Sequence, residues 1–253
     1  MFANVMGKIL LNGINATVVV LPVSSVSLAL ELLQSSSALY ASFPLVTYVG
    51  GNFLLELNPV LTVVTAPLLA FIGGQVLFTQ NTALASMSFP NLTLVQSISI
   101  SQNQALTAIV FANLTTVLSG LSVSTHAQLT LLSLPLLSSL TQSATTAILS
   151  NPLLPSLSLP ALTSSLNINV YNNSAMTSIN MPLLAIVNSS LTINALPMLT
   201  CLGPHHSTCL MIMHVVIALA LNSLNFTNGS LEIHATWLSV INIPALTCLR
   251  FLL

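Results

Sequence analysis

The stretch QSISISQNQALTAIVFANL, Gln96 to Leu114, decides the fold. Its first half alternates serine and isoleucine, reaches Asn103, and then resumes an apolar pattern at Leu106, Ile109 and Phe111. A period of two puts Ile98 and Ile100 on one side of a strand and Ser99 and Ser101 on the other. The stretch carries no charge, and its neighbours on both sides repeat its design.

The template L-x-x-φ-x-φ-P-x-L, with φ apolar, fits Leu84 to Leu92, Leu129 to Leu137, Leu154 to Leu162, Met176 to Leu184 and Leu238 to Leu246. Leu61 to Leu69 fits with Ala66 in an apolar slot, and Leu106 to Leu114 with Ala112 in place of proline. The anchors run Pro22, Pro44, Pro67, Pro90, Ala112, Pro135, Pro160, Pro182 and Pro204, with steps of 22 or 23 residues and one of 25. A fixed period of this size is the mark of a solenoid. Three residues before the template stands an asparagine: Asn58, Asn81, Asn103, Asn151 and Asn173. Each repeat therefore reads as strand, asparagine turn, short strand, proline turn. Stacked coils line the asparagines into a ladder, because an amide can serve the backbone groups that a corner leaves unpaired. Proline ends the short strand where no N–H is needed. Gly50-Gly51 and Gly73-Gly74 read as a further corner, where positive φ costs little.

The expected fold is an all-β, right-handed parallel β-solenoid of about ten coils of 22–23 residues. It forms one domain over residues 1–253, with degenerate repeats at 205–230.

Composition narrows the function. Of 253 residues 54% are hydrophobic and 2% charged, with Lys8, Arg250, Glu31, Glu56 and Glu232 the whole charged set. Nucleic acid is excluded as a partner, because phosphate neutralisation needs clustered Lys and Arg. Acid–base catalysis has few carboxylates to assemble. A mean hydropathy of +0.96 makes a multi-span membrane protein the structural alternative. Its best candidate span, Cys209 to Leu221, falls short of the 18 or so apolar residues required and contains His214. Elsewhere Ser, Thr, Asn or Pro interrupts every few positions.

The segments GNFLLELNPVLTVVTAPLLAFIGG, Gly51 to Gly74, and SLNINVYNNSAMTSINMPLLAIV, Ser165 to Val187, resemble receptor-L-domain repeats, a leucine-rich-repeat-like solenoid. The likeness is to fungal and protist cell-surface proteins and runs from about Gly7 to Leu246. It implies an extracellular, glycosylated, wall- or membrane-anchored protein acting in surface organisation or ligand recognition. The sequence shows neither a clean signal peptide nor an anchor signal, and almost no charge. The expectation is a fragment of a longer surface protein, tied to a membrane only through an anchor outside this chain.

Chemistry-bearing residues are few. Cys201, His205, His206, Cys209 and His214 form a local cluster whose spacing admits zinc but matches no strong ligand pattern. Cys201 fills a slot held elsewhere by Leu or Ile, so a buried thiol is the preferred reading, and no metal or cofactor is expected. In a secreted protein a Cys201–Cys209 disulfide fits better than a metal and leaves Cys248 unpaired. His126 stands in the asparagine slot and is read as a turn residue bonding to the backbone. Glu232 and His234 share one side of an alternating strand, an isolated pair with no nucleophile to single out. Asn15, Asn91, Asn113, Asn172, Asn188, Asn225 and Asn228 head N-x-[ST] triplets and are the glycosylation candidates. Asn91 and Asn113 occupy one repeat position, just past the proline corner.

The leading expectation is a non-enzymatic surface scaffold that binds a protein or glycan on one solenoid face. An ice-binding solenoid would need a regular threonine column. The two outward columns read Leu54, Leu77, Ser99, Ser122, Ala147, Asn169 and Glu56, Thr79, Ser101, Ser124, Leu149, Tyr171, so it ranks low. A β-helix carbohydrate-active enzyme would want clustered Asp, Glu or Arg, and aspartate is absent. Leu54 and Leu77 are expected to be exposed and to favour self-association.

Overall fold

The computed structural model describes residues 3–140 and 145–194, and beyond them the backbone of the strands Cys201–Leu202, Ala218–Ala220, Ser230–His234 and Val240–Asn242. The fold is an all-β parallel solenoid of about eight turns, with no helix among the described residues. None of these residues therefore provides a helix able to cross a membrane. The long wall is a 14-stranded sheet whose strands, such as Phe71–Thr79, Leu94–Ser101 and Thr116–Ser124, each pair in parallel with the same segment of the next coil. The short strands build the facing wall. Val18–Val20 through Ser86–Ser88 form one sheet of four, and Ala108–Val110 through Val240–Asn242 form another of seven.

Alternation decides what goes inside. Along the long wall Phe53, Val76, Ile98, Leu121, Ile168 and Leu191 fill one buried column, and Leu55, Phe78, Ile100, Val123, Ile148, Val170 and Ile193 the next. The template residues supply the opposite side: Leu84, Met87, Phe89 and Leu92 in one coil, and Leu106, Ile109, Phe111 and Leu114 in the following one. Phenylalanines run along the axis. Phe53 meets Phe78 edge-on at 5.4 Å, Phe78 lies 5.6 Å from Phe89, and Phe89 stacks near Phe111 at 6.2 Å. Such ring pairs each add about 0.5–1.5 kcal/mol beyond the area they bury.

The glycine pairs do mark a bend, but not by positive φ. Gly13 is the one described glycine with φ in the left-handed region. Gly73 and Gly74 lie where the long strand changes register between Ile72 and Gln75. A Cβ on Gly73 would run into the carbonyl oxygen of Gly50, and one on Gly50 into that of Ser27. The coils approach too closely at this bulge for any side chain. The rings of Tyr48 and Phe71, stacked at 5.1 Å, flank the same column.

Positive φ belongs instead to one residue per turn just before the asparagine slot. Gln34, Leu57, Gln80, Gln102, Thr125, Ser150 and Asn172 all have φ between 51° and 61°. The left-handed conformation costs an ordinary L residue about 1–2 kcal/mol. It recurs because it turns the chain from one wall to the next and points two main-chain groups at the interior.

Leu54 and Leu77 face outward, opposite each other in register, yet both are half-buried rather than exposed. Strands on either side, about 4.8 Å away, shade them.

Candidate functional site

The inward corner holds the most regular chemistry in the molecule. Asn81 Nδ2 donates to the carbonyl of Leu55 at 2.8 Å, and its Oδ1 accepts the main-chain N–H of Asn58 at 3.1 Å. Asn58 does the same for Leu32 and Ser35, Asn103 for Phe78 and Asn81, and Asn173 for Ile148 and Asn151. Asn151 serves Val123 and His126. All five asparagines are fully buried. The carboxamide fits because it offers one donor and one acceptor side by side, matching the carbonyl and N–H that the left-handed corner leaves open.

His126 occupies the same slot with different chemistry. It is fully buried, and its Nδ1 and Nε2 lie 3.1 Å from the carbonyl oxygens of Asn103 and Ile100 respectively. Burial pushes the imidazole below its ordinary value, and the two carbonyls offset only part of that.

The outer corners carry further ladders, built from hydroxyls. Thr62 Oγ1 donates to Leu39 O and Thr130 Oγ1 to Thr107 O. On the next corner Thr93 donates to Ala70 O, Thr115 to Thr93 O and Thr163 to Ser138 O. Sequence reading looked for threonine columns on the strands and missed these. Their signal was the recurring Leu-Thr dipeptide at residues 61–62, 106–107 and 129–130, and at 92–93, 114–115 and 162–163.

The outward face of the long wall carries two rows of side chains set in register. Register sets Leu54, Leu77, Ser99, Ser122, Ala147 and Asn169 in one row. Glu56, Thr79, Ser101, Ser124, Leu149 and Tyr171 form the row beside it. At its centre Ser99 faces Ser122, Ser101 faces Ser124, and Ser97 faces Gly120. Small side chains leave this patch flat. No charged residue occurs from Leu57 to Leu231.

The glycosylation candidates separate by environment. Asn91 and Asn113 are exposed, but their amides donate to Pro67 O and Pro90 O at 2.7 and 2.8 Å. Asn15 is exposed and accepts from Ser37 Oγ. Asn172 is exposed at a left-handed corner, and Asn188 is half-buried within the strand Ile186–Asn194. Asn225 and Asn228 lie outside the described residues.

Of the cysteine–histidine cluster, Cys201 opens a short strand opposite Ser178. His205, His206, Cys209 and His214 lie outside the described residues, as does Cys248. Glu232 and His234 pair across the backbone with Thr192 and Asn194. Among the described residues no group of three metal-ligating side chains comes together. Lys8 and Glu31 form an ion pair at 2.6 Å near the first coil, far along the axis from the serine patch.

No protein-family model matches the chain, and neither a curated protein nor a solved structure matches it.

Proposed function

We propose that the protein is a non-enzymatic cell-surface scaffold that recognises a neutral glycan on the outward face of its long wall. The serine patch of Ser97, Ser99, Ser101, Ser122 and Ser124 carries this reading. It offers a flat, uncharged grid of hydroxyls, of which Ser101 also bonds Thr79 Oγ1 at 3.0 Å, while the corner threonines and asparagines are engaged with their own backbone. Hydroxyl and amide side chains hydrogen-bond sugars without requiring charge on either partner. Tyr171, exposed in the row of Ser101 and Ser124, adds an aromatic ring on the same face. From Leu57 to Leu231 the chain carries no Asp, Glu or Arg, so the serine patch lacks the pair of carboxylates that glycoside cleavage uses, which supports binding.

The likeness to receptor-L-domain repeats of fungal and protist surface proteins supports an extracellular setting, with the solenoid as the display element. Glycans on exposed sequons such as Asn172 would add the hydration that charge supplies on other proteins.

The test is retention on insoluble neutral polysaccharides, run beside the Ser99→Arg, Ser122→Arg double variant. Retention of the wild type and its loss in the variant, with unchanged circular dichroism, is the expected result. A wild type retained on no polysaccharide overturns the glycan reading, and release of reducing sugar from a bound polymer overturns the non-enzymatic one.

A further inference from the structure

We propose that His126 is an acid-sensitive weak rung in the asparagine ladder, so that the seam between the coil of Asn103 and the coil of His126 is the first to loosen as pH falls. The geometry sets up the conflict. Every asparagine rung presents one acceptor and one donor to the coil before it. His126 presents two ring nitrogens, and both face carbonyl oxygens at 3.1 Å. A neutral imidazole has one N–H, so it satisfies one carbonyl and turns a lone pair toward the other. It also has no oxygen to accept the main-chain N–H of Asn103, the bond that Asn81 and Asn103 supply to the coils before them.

Protonation would give both carbonyls a donor, but it places a full charge in an apolar interior. His126 is wholly buried, and the surrounding coils provide nothing to balance the charge. From Leu57 to Val170 it is the one titratable residue in the sequence, so neither the preceding coil, the following coil nor the facing short strands bring a charged or titratable group against it. An uncompensated buried charge costs more than two hydrogen bonds return. Burial accordingly holds the imidazole below its ordinary value of 6.5. An opened seam regains that ordinary value and takes up the proton more readily. The stability of the seam is therefore full above about pH 6.5, falls as pH drops toward the depressed native value, and levels off below it.

The experiment is a thermal melt followed by circular dichroism from about pH 7.5 to about pH 5, on the wild type and on His126→Asn. The variant restores the carboxamide of the other rungs. His205, His206, His214 and His234 are common to both proteins, so the difference between the two profiles isolates His126. The expected result is a variant that melts higher than the wild type at every pH, by a margin that widens in acid. Equal margins across the range, or a wild type that gains stability in acid relative to the variant, overturn the proposal. A variant that does not fold overturns it as well, because the slot would then not be an asparagine slot. An NMR titration of the His126 ring in the native protein gives an independent reading, and a midpoint above 6.5 counts against it.

Discussion

The main-chain N–H and the side-chain Nδ2 of Asn58 both donate to one atom, Oδ1 of Asn81, at 3.1 and 2.9 Å. Two coils are thus joined at their inner corner by a single carboxamide that also reaches back to Leu55. Removing it strands a buried N–H and a buried carbonyl together, each with a desolvation penalty of about 1–3 kcal/mol. Asn81→Leu is expected to destabilise the protein by about 2–4 kcal/mol in urea denaturation. Gln128→Ala, on an exposed position of the next corner but one, is the control and should fall within about 0.5 kcal/mol of wild type.

Thr125 holds φ at 61°, an unfavourable angle for a β-branched residue. Thr125→Gly removes the steric cost and replaces it with a smaller entropic one, since glycine loses more freedom on folding. A gain of about 0.5–1 kcal/mol in unfolding free energy is expected. An unchanged or lower midpoint would show that Thr125 is not strained.

Gly73→Ala tests the close approach of coils. The new Cβ meets the backbone oxygen of Gly50, a residue whose own N–H is fastened to the Val26 carbonyl of the coil before it. A loss of about 2 kcal/mol or more is expected from such overpacking. Gly120→Ala makes the contrast, because its nearest neighbour, the Thr145 oxygen, lies at 3.3 Å and needs to yield only slightly. The two melting curves should separate clearly.

Thr146 fills a buried position that other coils give to Phe53, Val76, Ile98 and Leu121, and its Oγ1 has no hydrogen-bond partner among the described residues. Thr146→Val keeps the shape and removes the orphaned hydroxyl. It should stabilise the fold by about 1 kcal/mol, read as a rise in the denaturation midpoint.

The repeat, the inward columns and the asparagine slot were readable in the sequence because each depends on a residue type recurring at a fixed spacing. Ile98 and Ile100 announce a buried face by chemistry alone. The left-handed corner was not readable, since Gln, Leu, Thr, Ser and Asn all occupy it. Its angle is imposed by the two walls it joins, not chosen by the side chain. Gly73 and Gly74 were placed correctly at a bend but for the wrong reason, because their constraint is the coil beneath, one period away. Leu54 and Leu77 look exposed in a single strand and are shaded only once neighbours are stacked beside them. The serine patch is likewise a property of two adjacent coils, visible when Ser99 and Ser122 are set in register.

The bonds of the asparagine spine all run the same way, each coil being closed by the one that follows it. A coil therefore carries its neighbour's fastening and needs only an equivalent successor. Gain or loss of one whole period would shift the reach of the molecule by one strand spacing, about 4.8 Å, and leave every remaining fastening intact. Length becomes a quantity that can be adjusted in fixed increments without redesign, as on a ruler, and the distance between the two ends of the solenoid is the trait most open to variation.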